Sequence, residues 1–187
     1  SFIEAAQSFD TITDCDRARE AGYALGTFHN LISDLPPEKL AVTLEGFHIT
    51  PRYLQQYDAV LAKHDKSMSP EIDFCLQFIQ TRRNWVSVLE DAKISGELPL
   101  RLMHGDPKIN NVLFDNNTGR AVSVIDLDTL MPGLIHYDIG DCLRSSCNSL
   151  GEETQQWQEV RFETELAQAI LQGYVSQAKD FLTEKDY

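Results

Sequence analysis

Apolar residues recur at three- and four-residue steps through Ala18, Ala21, Leu25, Phe28 and Ile32, which places them on one face of a helix. Thr13-Asp14-Cys15-Asp16 has the spacing of a capping box with Asp in place of Glu or Gln, so the helix is predicted to run from there to about Ser33. Leu35-Pro36-Pro37 stops it, because proline lacks an amide donor and crowds the preceding turn. Residues 46–52 read as an irregular connector. Thr50 and Pro51 then look like the cap and first position of a second helix, to about Lys63. Ser69-Pro70 repeats that signal ahead of a longer helix to about Lys93, with Ile72, Cys75, Ile79, Arg82-Arg83, Val86 and Leu89 near its inner seam. Residues 1–12 carry no clear pattern.

The period then changes. Two short apolar runs, 112–114 and 121–125, flank Asp115-Asn116-Asn117-Thr118-Gly119, whose residues suit turn geometry, so a β-hairpin is predicted. Residues 129–133 read as irregular, and His136-Tyr137-Asp138 opens a helix through about Asn148. A long helix is expected over 152–176, with Trp157, Val160, Leu166, Ile170 and Tyr174 available for burial; Thr183 caps the start of another. The expected fold class is α+β, mostly helical: a single domain over 1–187 with a small hairpin.

Composition narrows the partners. Hydrophobic residues make up 42% and charged residues 24%, the balance of a globular chain. The formal charge of −13 repels nucleic acid and anionic membrane, so neither is expected as a partner. It also opposes ATP, so a nucleotide site would need magnesium and local cations. The four cysteines show no Cys-x-x-Cys spacing, and three sit in apolar, helical-looking surroundings where buried thiols are usual. No apolar run reaches the length of a membrane span and no signal pattern opens the chain, so the expected location is cytoplasmic.

The chemistry concentrates in residues 103–128. Asp106 and Asn111 stand five apart in a polar loop, and the hairpin brings Asp126 back toward them. Asp126 and Asp128 would share a face if the extended geometry continues. An amide with one or two carboxylates suits a hard cation such as magnesium and leaves room for water and phosphate oxygens. A remaining carboxylate can orient a hydroxyl and take its proton as it attacks phosphorus. For any one of these residues the competing reading is a capped polar loop; the joint pattern favours the functional one.

His104-Gly105-Asp106-Pro107-Lys108-Ile109-Asn110-Asn111 resembles the catalytic loop of the aminoglycoside phosphotransferase and choline kinase group, small-molecule kinases with the protein-kinase fold. Ile125-Asp126-Leu127-Asp128 resembles their magnesium-binding segment, and residues 124–144 look closest to N-acetylhexosamine 1-kinases. The resemblance implies a kinase-like C-terminal lobe, with Asp106 as base or hydroxyl-orienting group. It implies that Asn111 and Asp126, and more weakly Asp128, hold Mg2+, with ATP as co-substrate and a small-molecule acceptor. Lys108 is assigned to charge neutralisation near the transferred phosphoryl group.

Other residues carry two readings each. His48 and Arg52 either face an acceptor sugar or are a loop histidine and a solvated arginine. Arg144 either contacts a sugar or phosphate or pairs with Asp141 at i,i+3. Asp138 is read as an N-cap or as a support behind the catalytic loop, in preference to substrate contact. His29, beside Phe28, reads as a packing residue. Arg82-Arg83 beside Trp85 reads as a solvated, partly stacked pair rather than a phosphate patch. Residues 1–100 contain no glycine-rich strand-turn-strand loop, and Gly22-x-x-x-Gly26 falls inside a helix. The expectation is therefore the C-terminal lobe alone, cut at both ends, with the N-terminal ATP lobe missing, binding ATP weakly or not at all and inactive by itself. A kinase of choline, homoserine or an aminoglycoside, or a non-catalytic kinase-like binding module, remains the alternative.

Overall fold

The computed structural model describes residues 3–63 and 69–187. Its elements in order are β1 (Ala6–Gln7), α1 (Cys15–Leu31), α2 (Thr50–Leu61), α3 (Pro70–Arg82), α4 (Val88–Ile94) and β2 (Arg101–Met103). These are followed by β3 (Val112–Asp115), β4 (Ala121–Val124), β5 (Met131–Gly133), α5 (Ile135–Ser146) and α6 (Thr164–Ala178). The class is α+β and mostly helical. The chain divides into two compact units, residues 1–43 with 100–187, and residues 44–99. No helix among the described residues is long and apolar enough to cross a membrane.

The first unit is built on α1 and α6. Gly22 and Gly173 let the two backbones touch: a Cβ on Gly22 would stand 1.9 Å from the Ile170 carbonyl oxygen, and one on Gly173 would stand 2.0 Å from that of Arg19. The Gly22-x-x-x-Gly26 spacing thus serves helix packing. Ala18, Ala21 and Leu25 of α1 meet Leu166, Ile170 and Tyr174 of α6 in one core with Val112, Phe114 and Cys142. Each large side chain fully buried there contributes about 1.5–3 kcal/mol. The N-cap of α1 is Asp14, whose carboxylate accepts from the Arg17 N–H at 2.7 Å, one residue later than the predicted Thr13.

The predicted hairpin is present. β3 and β4 pair antiparallel, Val112 opposite Val124 and Leu113 opposite Ser123. Asp115 caps the turn by accepting from the Asn117 and Thr118 amides and the Thr118 hydroxyl, which holds its carboxyl below the usual range. Sequence reading missed two pairings. Residues 1–12, read as featureless, supply β1, which lies antiparallel beside β3. Residues 129–133, read as irregular, supply β5, which pairs antiparallel with β2 and places Met103 opposite Met131. Strands this short carry too few alternating positions for a period to show.

Three further expectations change. The helix predicted over 152–176 begins only at Thr164; Trp157 and Val160 precede it and are exposed, whereas Leu166, Ile170 and Tyr174 are buried as expected. Asp138 lies inside the first turn of α5, four residues after the Leu134 cap position, so it is no N-cap. Of the cysteines, only Cys142 and Cys147 are buried; Cys15 and Cys75 are exposed, and all four are free. Thr183 does cap a short final turn, in a reciprocal box with Asp186.

In the second unit, the helix expected over 70–93 is two helices separated by a 3-10 turn at Arg83–Trp85. Ser69 caps α3 as predicted, accepting from the Ile72 N–H, but Thr50 makes no cap bond because α2 already includes it. Leu76, Ile79, Val86 and Leu89 are half-buried, while Ile72 and Cys75 are exposed. Arg82 stacks over Phe78 at 3.6 Å and Arg83 pairs with Asp58, so neither arginine is set out as a phosphate patch; Trp85 stays exposed.

Candidate active site

The loop between β2 and β3 is held on three sides. From behind, the fully buried Asp138 carboxylate accepts from the His104 N–H at 2.6 Å and the Gly105 N–H at 2.8 Å. In front, the Thr129 hydroxyl donates to the His104 carbonyl at 2.7 Å. The Asp106 N–H donates to His104 Nδ1 at 3.2 Å, so the ring's proton sits on Nε2, which donates to the Ile125 carbonyl at 2.9 Å. One buried imidazole therefore ties the Asp106 backbone to the residue before Asp126. Gly105 is required at its place: its φ is +90°, and a Cβ would stand 2.8 Å from the Thr129 carbonyl oxygen.

Three of the predicted residues converge directly. The Asn111 amide donates from Nδ2 to the Asp106 carbonyl at 2.8 Å and to Asp106 Oδ2 at 3.3 Å. The ammonium of Lys108 lies 2.8 Å from the same Oδ2. That pairing raises the Lys108 pKa against the opposing effect of burial, helped by the charge of Asp106 itself and by those of Glu152 and Asp126. Lys108 is therefore charged at neutral pH, and Asp126 is near enough for it to feel.

Asp126 reaches the site by a different route from the one predicted. The Ile125 N–H donates to the Asn111 carbonyl at 2.9 Å, which closes β4 onto the loop. Asp126 itself is exposed and left-handed at φ 64, ψ 60, and Leu127–Thr129 coils into a 3-10 turn. The extended geometry does not continue, so the alternation that would put Asp126 and Asp128 on one face does not apply. Left-handed backbone in a non-glycine residue is costly and clusters where function demands it. Asp128 is exposed within the turn.

Arg144, on α5, bonds the Asp141 carboxylate at 2.8 and 3.0 Å and also pairs with Glu152, so the i,i+3 pair, one of its two readings, is present. Lys108, Asn110, Ser145, Glu152 and Thr11 line an open cleft of ≈ 510 Å³. Asn110 Oδ1 is buried with no hydrogen-bond partner among the described residues. His48 belongs to the second unit, where its backbone is left-handed (φ 61), its N–H donates to the Tyr53 hydroxyl at 2.7 Å, and its ring lies 4.1 Å from that of Phe47. Arg52 pairs with Glu45 at 3.2 Å.

The oxygens present fit a hard cation. With Nδ2 turned to the Asp106 carbonyl, the planar Asn111 amide leaves Oδ1 on its other side, and Asp126 adds an exposed carboxylate. Among the described residues no group of three or more His, Cys, Asp or Glu side chains could hold a metal ion. An amide with one carboxylate needs water and substrate oxygens to complete its coordination, which is how magnesium is commonly held. The loop supports that sequence reading missed are His104 and Thr129, although both lie within the stretches that carry the resemblance; His29, which bonds Asp138 behind the loop, lies outside them.

Comparison with known proteins bears on the fold and the family. Among solved structures, the ethanolamine kinase of Plasmodium vivax superposes with a TM-score of 0.54 at 14% identity, over 100% of this chain and 52% of its own. An aminoglycoside-3'-phosphotransferase of type VIII is 19% identical over 96% of this chain and 61% of its own, with a TM-score of 0.48. A spectinomycin phosphotransferase, solved with ADP and spectinomycin, is 19% identical over 92% and 50%, with a TM-score of 0.44. The chain thus spans between half and three-fifths of the length of these proteins. The model of the phosphotransferase enzyme family matches residues 2–182. The chain belongs to the phosphotransferase enzyme family.

Proposed function

We propose that this chain is the C-terminal, acceptor-side lobe of an ATP- and magnesium-dependent kinase that phosphorylates a hydroxyl of a small molecule. The observation that carries the reading is the convergence of Lys108 and Asn111 on the Asp106 carboxylate, in a loop held from behind by Asp138. Asp106 takes the proton of the acceptor hydroxyl as its oxygen bonds the γ-phosphorus and the bond to the departing ADP breaks. Asn111 Oδ1 and the Asp126 carboxylate are the oxygens that would hold magnesium, with Asp128 as an outer candidate; the ion supplies neutralisation of the phosphate charge when bound. Lys108 releases its pairing with Asp106 to meet the transferred phosphoryl group. The acceptor lies in the cleft beside Lys108, where Asn110 Oδ1 offers an unused acceptor of hydrogen bonds. Arg144 borders it, through its pairing with Glu152.

The nucleotide-covering strands are proposed to lie outside residues 1–187. The described residues contain no glycine-rich loop between paired strands, and the chain spans only 50–61% of the solved phosphotransferases and kinase above.

The acceptor we favour is the anomeric hydroxyl of an N-acetylhexosamine, on the resemblance of residues 124–144, with His48 as a further sugar contact. Choline, ethanolamine, homoserine or an aminoglycoside fits the family equally well, and the acidic balance of −13 is compatible with a cationic acceptor. The full-length protein, incubated with ATP, magnesium and a panel of these acceptors, should phosphorylate one of them. Transfer to none, together with no magnesium-dependent nucleotide binding, would leave a non-catalytic binding module as the better reading.

A further inference from the structure

The catalytic-loop clamp has a second side that the proposed reaction does not use. His29, on α1, is 2% exposed, and its Nε2 lies 2.8 Å from Asp138 Oδ2, the same oxygen that accepts from the His104 N–H. A carboxylate only accepts, so Nε2 carries the proton. On the opposite edge of the ring, Nδ1 lies 2.9 Å from the Tyr174 hydroxyl on α6. Burial, and then the negative charge of Asp138, push the Tyr174 pKa up, so its oxygen keeps its proton and can donate to Nδ1. A directed chain results: Tyr174 O–H to His29, His29 N–H to Asp138, and Asp138 to the amides of His104 and Gly105.

We propose that His29 is a positioning residue of the catalytic loop, acting through Asp138; its consequence for turnover rests on the kinase reading above. A carboxylate with no solvent access is held in place only by its donors, and leaving part of it unpaired is costly. Among the described residues, His29 donates to this carboxylate from a side chain, and the loop amides of His104 and Gly105 donate from the backbone. Without His29 the carboxylate is free to turn toward whatever donor remains, and the loop that reads its position turns with it. A packing residue would need only the ring's volume. A positioning residue needs the Nε2 donor.

The test compares His29→Leu, which fills the volume without a donor, with His29→Gln, whose terminal amide can reach Asp138. Both are made in the full-length protein, alongside Tyr174→Phe. Two readouts are taken: kcat and KM with the acceptor found by the panel, and hydrogen exchange of the Gly105 amide after 15N-glycine labelling. For His29→Leu, kcat should fall about 10- to 100-fold with KM little changed, and Gly105 exchange should accelerate. His29→Gln should recover most of both, and Tyr174→Phe should show a smaller effect in the same direction. Unchanged Gly105 exchange in His29→Leu overturns the proposal. So does equal loss in the Leu and Gln variants accompanied by an equal fall in Tm. If His29→Leu fails to fold, His29→Gln decides alone: near-normal exchange and kcat support the positioning role, and loss of both overturns it. If the wild-type protein phosphorylates no acceptor, the kinase reading fails while the Gly105 exchange still judges His29.

Discussion

Asn111 Nδ2 donates to the backbone carbonyl of Asp106 at 2.8 Å, across a loop of five residues that also carries Lys108. The bond fixes the orientation of the amide, and with it the side on which Oδ1 is presented. It also fixes the main chain of Asp106 without using up its carboxylate.

Asp106→Asn should therefore remove the proposed base while the loop stays in place. We expect kcat of the full-length protein to drop about 10²- to 10⁴-fold with the acceptor's KM little altered. Steady-state kinetics checks the rate and circular dichroism checks the fold. Near-normal turnover would refute the assignment.

Asp126→Ala takes away the exposed carboxylate of the proposed magnesium pair. The magnesium concentration giving half-maximal activity should rise about tenfold or more, since losing even a group that only orients a metal ligand costs about 10–100-fold. A titration of rate against magnesium at saturating ATP measures it. An unchanged midpoint would move the ion to other ligands.

Gly105→Ala combines a φ of +90° with a Cβ placed 2.8 Å from the Thr129 carbonyl oxygen. Left-handed backbone alone costs an L-residue about 1–2 kcal/mol, and the clash adds to it. Urea unfolding should show a loss at least that large. Gly119→Ala is a useful control, since it also has positive φ (+69°) but open space around its Cβ, and it should cost less.

Asp186 ties the C-terminal turn to β2 through Arg101 Nη2 at 3.1 Å, and within the turn its carboxylate accepts from the Thr183 amide at 2.7 Å. Burial alone would raise its pKa; the Thr183 donors and Arg101 outweigh it and hold the carboxyl below the usual range. A carboxyl depressed on folding stabilises above its unfolded pKa, near 3.9, and the gain disappears as pH falls through the folded value. Asp186→Asn should thus cost about 1–3 kcal/mol at pH 7, with the difference from wild type shrinking below about pH 4. Unfolding curves at both pH values test the sign.

Cys142 is pushed up to about 12 and Cys147 to about 11, mainly by burial, so both stay as thiols at neutral pH. Thiolate is the reactive form. A chromogenic disulfide reagent should modify Cys15 and Cys75 in the native chain and reach the other two only after denaturant is added. Rapid modification of all four would contradict the burial seen at Cys142 and Cys147.

Local features were legible wherever a short stretch of chain decides its own structure. The apolar steps of α1, the Ser69 cap, the turn residues 115–119 and the Asp106-to-Asn111 spacing each act over a few residues, so the sequence carries them openly. Boundaries were less so. The helix expected over 70–93 breaks at Arg83, where the side chain leaves the inner seam to pair with Asp58, 25 residues back. Residues 152–163 lack the buried face that their apolar members suggested: Trp157 and Val160 stay exposed.

What only the tertiary structure decided is what stands behind the loop. His29 read as a packing histidine because nothing within its own helix asks for a proton donor; its partner Asp138 is 109 residues away. The two-residue β1 is a strand through its pairing with the edge of β3, and Asp126 turns left-handed directly after Ile125, whose backbone is bonded on one side to Asn111 and on the other to His104. Periodicity and spacing report forces between near neighbours in the chain. A buried carboxylate collects its donors from wherever the fold can bring them, and that choice is made in space, after α1, α5 and α6 have packed.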